Sequence, residues 1–159
     1  MFILNFLQGF PHWLIILIIS AIPVIELRGA IPLALTVWGM PVIPVLILGI
    51  IGSVLPVFPI LWFLDFATKI AHRFPRLGGF LDWLFTRTRA KSKQIERYEF
   101  WGLVIFIGIP LPGTGVWTGT VAAYLLGLSP WKTFWAGFLG TAIAGLIMTA
   151  GILGLKALF

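Results

Sequence analysis

From Gly29 to Leu64 the chain carries no charged side chain, and Gly39, Pro41 and Pro44 divide this run into about ten residues and then about twenty. At 1.5 Å per residue, a ten-residue helix reaches roughly 15 Å, half the hydrocarbon thickness of a bilayer, whereas twenty residues cross it. The second half divides the same way: a short apolar stretch at 100–109, a Pro-Gly break, another short stretch at 116–128 and a long one at 131–155. Each half therefore reads as short helix, break, short helix, full span. A short pair that enters and leaves on one face is a re-entrant hairpin, tolerated at membrane depth where protein or water covers its bare backbone. The competing reading turns 13–35 and 100–122 into tilted complete spans, giving four crossings in all.

The breaks themselves repeat. Pro23 and Pro110, Gly39 and Gly127, Gly49 and Gly137, and Gly52 and Gly140 recur at offsets of 87 or 88 residues. Duplicated apolar segments interrupted by Gly and Pro at matching places point to an inverted repeat with a binding site at its interface. The expected fold is an all-α integral membrane protein, one membrane domain over 1–159. Repeat 1 covers about 1–66, a cytoplasmic basic linker about 67–99 and repeat 2 about 100–159.

Composition agrees with a bilayer environment. Hydrophobic residues make up 60% of the chain and charged ones 10%, with a mean hydropathy of +1.07, against about 25% charge in a soluble protein. There is no cysteine, which excludes disulfides and thiolate metal sites. The start, Met1-Phe2-Ile3-Leu4-Asn5, has no basic leader and no small-residue cleavage site, so the first apolar segment is expected to stay. Lys69, Arg73, Arg76, Arg87, Arg89, Lys91, Lys93 and Arg97 crowd one central stretch. By the positive-inside rule that stretch faces the cytoplasm, where it contacts lipid headgroups rather than nucleic acid. Leu81, Leu84, Phe85 and Thr88 recur at helical spacing beside Trp83, predicting an amphipathic interfacial helix over roughly 79–98.

Glu26 and Arg28 are the two charged side chains of the first hairpin, and each costs about 2.5 to 3.5 kcal/mol at membrane depth on insertion scales. Either they pair or cap backbone opened by Pro23 and Pro32, or they form a substrate or proton site. If Gly29 opens one half-helix and Gly115 the other, both N-termini aim N–H groups at mid-membrane near Arg28, an arrangement suited to an anion. Pro110, Pro112, Gly113, Thr114 and Gly115 read as a tight turn, or as a place where backbone and hydroxyl donors approach a headgroup, with Trp117 and Thr118 just beyond. Asp65 reads as an interfacial charge or part of a proton path, and His12 and His72 as boundary residues. No residue pair has metal-ligand spacing and no Ser or Cys stands beside a base, so neither metal, cofactor nor enzymatic activity is expected. Trp13, Trp38, Trp62, Trp83, Trp101 and Trp131 fall near segment ends, as aromatic belts do. Ala136, Gly140 and Ala144, with Gly137, Thr141, Gly145 and Thr149 beside them, form a small-residue stripe. Its expected partner is the repeat-related span, or a second copy in a homodimer through Gly137, Gly140, Thr141, Ala144 and Gly145.

The run Ile109-Pro110-Leu111-Pro112-Gly113-Thr114-Gly115-Val116-Trp117-Thr118-Gly119, with Glu26-Leu27-Arg28-Gly29-Ala30-Ile31-Pro32 upstream, resembles the small multidrug export protein family over nearly the whole chain. That family is distantly similar to the DedA (SNARE-associated) membrane proteins, whose fold has two opposed re-entrant hairpins and whose members are implicated in proton-dependent lipid and drug-resistance phenotypes. A DedA-type first hairpin carries a further acidic residue after its prolines, which this chain lacks, and Gly108 stands where an arginine would be sought. The resemblance implies a multi-pass protein of the cell membrane, prokaryotic inner membrane, acting in efflux. Together with the local physics, it leads to an expected small transporter, exporter or translocase. It would be proton-coupled and carry a small amphiphilic molecule with an anionic, lipid-phosphate-like headgroup. A multidrug exporter of cations and a structural or assembly factor are the alternatives.

Overall fold

A computed structural model of the chain describes residues 9–92, 96–111 and 113–158, with side chains described except at 75–77, 88–92, 96 and 97. These residues form helices, with no strand among them. The first half holds α1 (His12–Ala21), α2 (Glu26–Pro32), a π-helical turn (Leu33–Val37), α3 (Val42–Val54) and α4 (Val57–Ala71). A connecting helix, α5 (Pro75–Ser92), leads to α6 (Glu96–Gly108), α7 (Val116–Leu126) and α8 (Pro130–Leu158). The basic helix thus starts ahead of the expected residue 79, and α6 begins four residues before the expected 100. Lys93 and Pro112, like the first eight residues, lie outside the described residues.

Proline and glycine set the boundaries. Pro11 and Pro41 sit in extended conformation as the N-caps of α1 and α3, because a proline's fixed φ suits a helix start and its missing N–H is not needed there. Ile22 leaves α1 with extended ψ, as a residue before proline must. Pro32 cannot donate to the carbonyl four residues back, and the chain answers with the π-helical turn that follows it. Gly39 and Gly127 end the second short helix of their respective halves at φ +61° and +79°. That left-handed position closes a helix and favours glycine, which gives one of the 88-residue coincidences a local cause. Residues 22–25, 109–111 and 113–115 interrupt the helices, so neither 13–35 nor 100–122 is a continuous helix.

Two stretches are long and apolar enough to cross a membrane: Val42–Ala71, which is α3 and α4 joined through a break at Leu55-Pro56, and α8 at 29 residues. The 10-residue α1 and 11-residue α7 reach only about 15 Å, half that depth. Each long stretch begins against its own half and ends against the other. α3 packs on α1, where a Cβ at Gly52 would lie 2.6 Å from the Leu17 carbonyl oxygen; α8 packs on α6, where a Cβ at Gly140 would lie 2.7 Å from the Ile107 Cβ. Further on, Tyr124 of α7 donates to Thr68 of α4 at 3.0 Å. Lys156 of α8 donates to the Leu35 carbonyl beyond α2 at 2.8 Å.

Two apolar clusters result. One gathers Ile16, Leu27, Ile31 and Val45 with Ala144 of α8; the other gathers Val57, Leu103, Val104, Ile107 and Val116 with Ala136. Lipid is as apolar as leucine, so close van der Waals contact at the small residues holds such helices together where the hydrophobic effect does not. Gly137, Gly140, Thr141, Ala144 and Gly145 are all buried. Gly137 faces Val57 and Val116, and Gly145 faces Leu46 and Ile31. The stripe considered as a homodimer seam is therefore covered by the chain's own helices.

Candidate functional site

The two breaks face each other, and the charges of the first half fit the open helix ends of the second. Glu26 begins α2 and is only 5% exposed. Its carboxylate oxygen Oε1 accepts the Trp117 main-chain N–H at 3.3 Å, and the Val116 N–H also points at the carboxylate. These are first-turn amides of α7, which have no partner inside their helix. A helix N-terminus carries roughly half a positive charge, so it compensates a carboxylate. Gly115 forms the floor of this contact: a Cβ there would come within 2.5 Å of both carboxylate oxygens.

Arg28 does the converse. Its Nη2 donates to the carbonyl oxygens of Ile107 at 3.2 Å and Ile109 at 3.3 Å and to Thr114 Oγ1 at 3.1 Å, while Nη1 donates to the Leu111 carbonyl. Those carbonyls are the frayed C-terminal end of α6 and the turn beyond it, where partial negative charge accumulates. Thr114 Oγ1 lies 2.8 Å from the Ile109 oxygen and 2.9 Å from the Leu111 oxygen, and donates its own proton into the same cluster. Among the described residues Glu26 and Arg28 do not pair with each other. Each is matched to an opposite helix end, which is how both are tolerated in an apolar protein.

The fit is reciprocal. The Trp117 indole donates through Nε1 to the Ala21 carbonyl at 3.2 Å, closing the C-terminal end of α1. Ser53 of α3 accepts the Leu27 N–H at 3.1 Å and donates to the Ser20 carbonyl at 3.2 Å, bridging the first break from behind. Thr118 accepts the Gly115 N–H at 3.0 Å. The backbone between the helices is strained: Val24 has φ +76° and Glu26 φ +47°, a region costly for side-chain-bearing residues and above all for a β-branched one.

Beside these contacts lies a cavity of about 150 Å³, walled by Glu26, Arg28, Thr114, Gly115, Trp117 and Thr118 together with Pro23, Val24 and Gly113. Seven of the residues singled out from sequence meet there: Glu26, Arg28, Gly113, Thr114, Gly115, Trp117 and Thr118. Gly29 and Pro32 do not line it, because α2 opens at Glu26 rather than Gly29 and carries both onward inside the helix. Pro110 lies off the wall, in the turn after α6, and Pro112 is outside the described residues. Val24, 95% exposed, and the Ser53 bridge were not anticipated; an ordinary Val and an ordinary Ser offer no sequence signal. The expectation of two vacant helix N-termini is also corrected. Glu26 fills that of α7, and Ser53 serves that of α2.

Away from the cavity, Asp65 pairs with Lys69 at 2.7 Å, His12 stacks on Trp38 at 4.6 Å, and His72 meets Asp82 at 3.0 Å.

Long apolar helices and two broken short pairs, with a charged cavity between the breaks, suit a membrane protein. The model of the family described as "Putative small multi-drug export protein" matches residues 26–147, from Glu26 through most of α8, and the chain belongs to that family. No curated protein and no solved structure matches it.

Proposed function

We propose that the chain is a multi-pass transporter of the prokaryotic inner membrane, built as two opposed re-entrant hairpins on an inverted repeat, in which Glu26 links proton uptake to binding of an anionic headgroup. One observation carries this reading: the Glu26 carboxylate occupies the N-terminus of α7, so the protein supplies its own anion to its anion site. A proton on Glu26 removes that charge and leaves the amides of Val116 and Trp117 open to a phosphate or carboxylate on an amphiphile. Loss of the proton returns the carboxylate and expels the headgroup. Proton and headgroup thus favour the same state of the site, which is the thermodynamic content of coupling. The cavity's size supports the division of labour. At about 150 Å³ it is smaller than the roughly 300 to 1,000 Å³ of a typical small-molecule pocket, so it takes a headgroup while the apolar tail stays in the bilayer beside Val24.

A second reading has one observation in its favour. The terminal nitrogens of Arg28 are already bonded to carbonyls and Thr114, which leaves Glu26 to receive a lipophilic cation. Short-chain phosphatidic acid and a lipophilic cation titrated into purified full-length protein separate the two. In the anion reading, Glu26→Gln removes the internal competitor. Phosphatidic acid then binds at least as tightly as to the unaltered protein and loses its pH dependence. Phosphatidic acid binding that keeps its affinity and its pH dependence in Glu26→Gln, with cation binding weakened in the same variant, overturns the anion reading in favour of the second.

A further inference from the structure

A second cavity lies apart from Glu26 and Arg28, between α4, α7 and the start of α8. Its volume is about 520 Å³, and it is lined by Phe58, Trp62, Asp65 and Tyr124 with Leu61 and Leu128 among the apolar remainder. This is the size of a drug-like molecule, which the headgroup cavity is not. Its walls are fixed before anything binds: Phe58 stacks on Phe134 at 5.5 Å and meets Trp131 edge-on at 5.6 Å. Tyr124 is held by its hydroxyl on Thr68 at 3.0 Å and by an edge contact with Phe85 at 5.8 Å.

The chemistry of the lining selects one charge. Asp65 is the sole charged residue among the described lining residues, and no basic side chain lines the cavity. Aromatic faces attract cations, most strongly when the cation is delocalised and easily desolvated. The carboxylate is engaged by Lys69 at 2.7 Å, but both side chains are more than half exposed, and an exposed pair of this kind holds weakly because water and salt screen it. A cation that also covers Trp62 and Phe58 would compete with the Lys69 ammonium for the carboxylate. We propose that this groove is a binding site for lipophilic cations, separate from the Glu26–Arg28 cavity and occupied independently of it.

The test uses purified full-length protein in nanodiscs of neutral lipid, with tetraphenylphosphonium as the probe and empty nanodiscs subtracted. Asp65→Asn and Trp62→Ala alter surface positions and leave the helices intact, and each is expected to weaken binding about tenfold, the scale of one partly desolvated cation–π or charge contact. Glu26→Gln is expected to leave tetraphenylphosphonium binding unchanged, so failure here is distinguishable from failure of the headgroup reading. Tetraphenylborate, of the same shape and opposite charge, is expected to bind no more tightly to the unaltered protein than to Asp65→Asn. Equal tetraphenylphosphonium affinity across the unaltered protein, Asp65→Asn and Trp62→Ala overturns the proposal. Loss of binding in Glu26→Gln alone overturns it as well, by moving the cation to the other cavity.

Discussion

At the scale of single residues, two positions decide how the site is held. Arg28 closes the carbonyl end of α6, so Arg28→Ala strips the guanidinium from the Ile107, Ile109 and Leu111 oxygens, of which Ile109 and Leu111 keep Thr114 and main-chain donors. The part-buried Ile107 acceptor left unmade costs about 1 to 3 kcal/mol at most. The expected outcome is a lowered midpoint of thermal unfolding in detergent, partly restored in Arg28→Lys, which keeps the charge but not the planar fork that reaches several carbonyls at once. A midpoint unchanged in Arg28→Ala would show that the guanidinium is not closing that helix end. Gly115 is the second position. A methyl there collides with both carboxylate oxygens of Glu26, so Gly115→Ala should push the carboxylate off the α7 amides at a stability loss of about 1 to 3 kcal/mol, as for other overpacked sites. On the proton-coupled reading its transport is expected to lose pH dependence, as is expected of Glu26→Gln, and retention of a normal pH profile in proteoliposomes would separate Gly115 from the proton step.

At the scale of elements, sequence made the breaks legible and left their stitching hidden. Pro23, Gly39, Pro110 and Gly127 mark where helices stop, because proline and glycine act locally, and Glu26 and Arg28 stand out as charges in an apolar run. Which backbone groups those charges satisfy was not legible, since the partners lie 79 to 91 residues away and are main-chain atoms common to every residue. The start of α6 was also missed. Glu96, Arg97 and Glu99 are polar, but they continue a helix well and simply carry it beyond the apolar stretch.

The connection of α5 to α4 offers an element-scale prediction. His72 Nε2 donates to Asp82 at 3.0 Å and Nδ1 to the Thr68 carbonyl at 2.7 Å. Two acceptors facing both ring nitrogens call for the imidazolium, and the Asp82 contact first, then Thr68, raises the His72 pKa. The folded pKa thus lies above the unfolded value of about 6.5. The tie is complete below that unfolded value and is lost as pH rises through the raised folded one. Hydrogen exchange in α5 should therefore quicken between mildly acidic and mildly alkaline pH. His72→Gln should abolish that step, and a step of equal size in the variant would place its origin elsewhere.

For the whole molecule, orientation follows from charge and length together. α8 spans 29 residues, roughly 44 Å, more than the hydrocarbon thickness of about 30 Å, so as a bilayer span its two ends would emerge on opposite sides. Short helices of about half that depth cannot do so, and each pair must return to the face it left unless its break continues the crossing. The basic connection around α5 is expected on the cytoplasmic side by the positive-inside rule, which would put the Ser129-Pro130 turn that opens α8 on that side too. Its far end, just after the Lys156 contact to Leu35, would then face outward. Both termini are expected outside the cytoplasm, with 67–99 inside. Reporter fusions after residue 159 and within the α5 connection check this directly: a C-terminal alkaline phosphatase should be active and a C-terminal fluorescent protein dark. A fluorescent C-terminal fusion would mean that 100–122 crosses completely. The two breaks would then be kinks within spans, and the proposal that the cavity between Glu26 and Thr114 is the meeting point of two hairpins would fail.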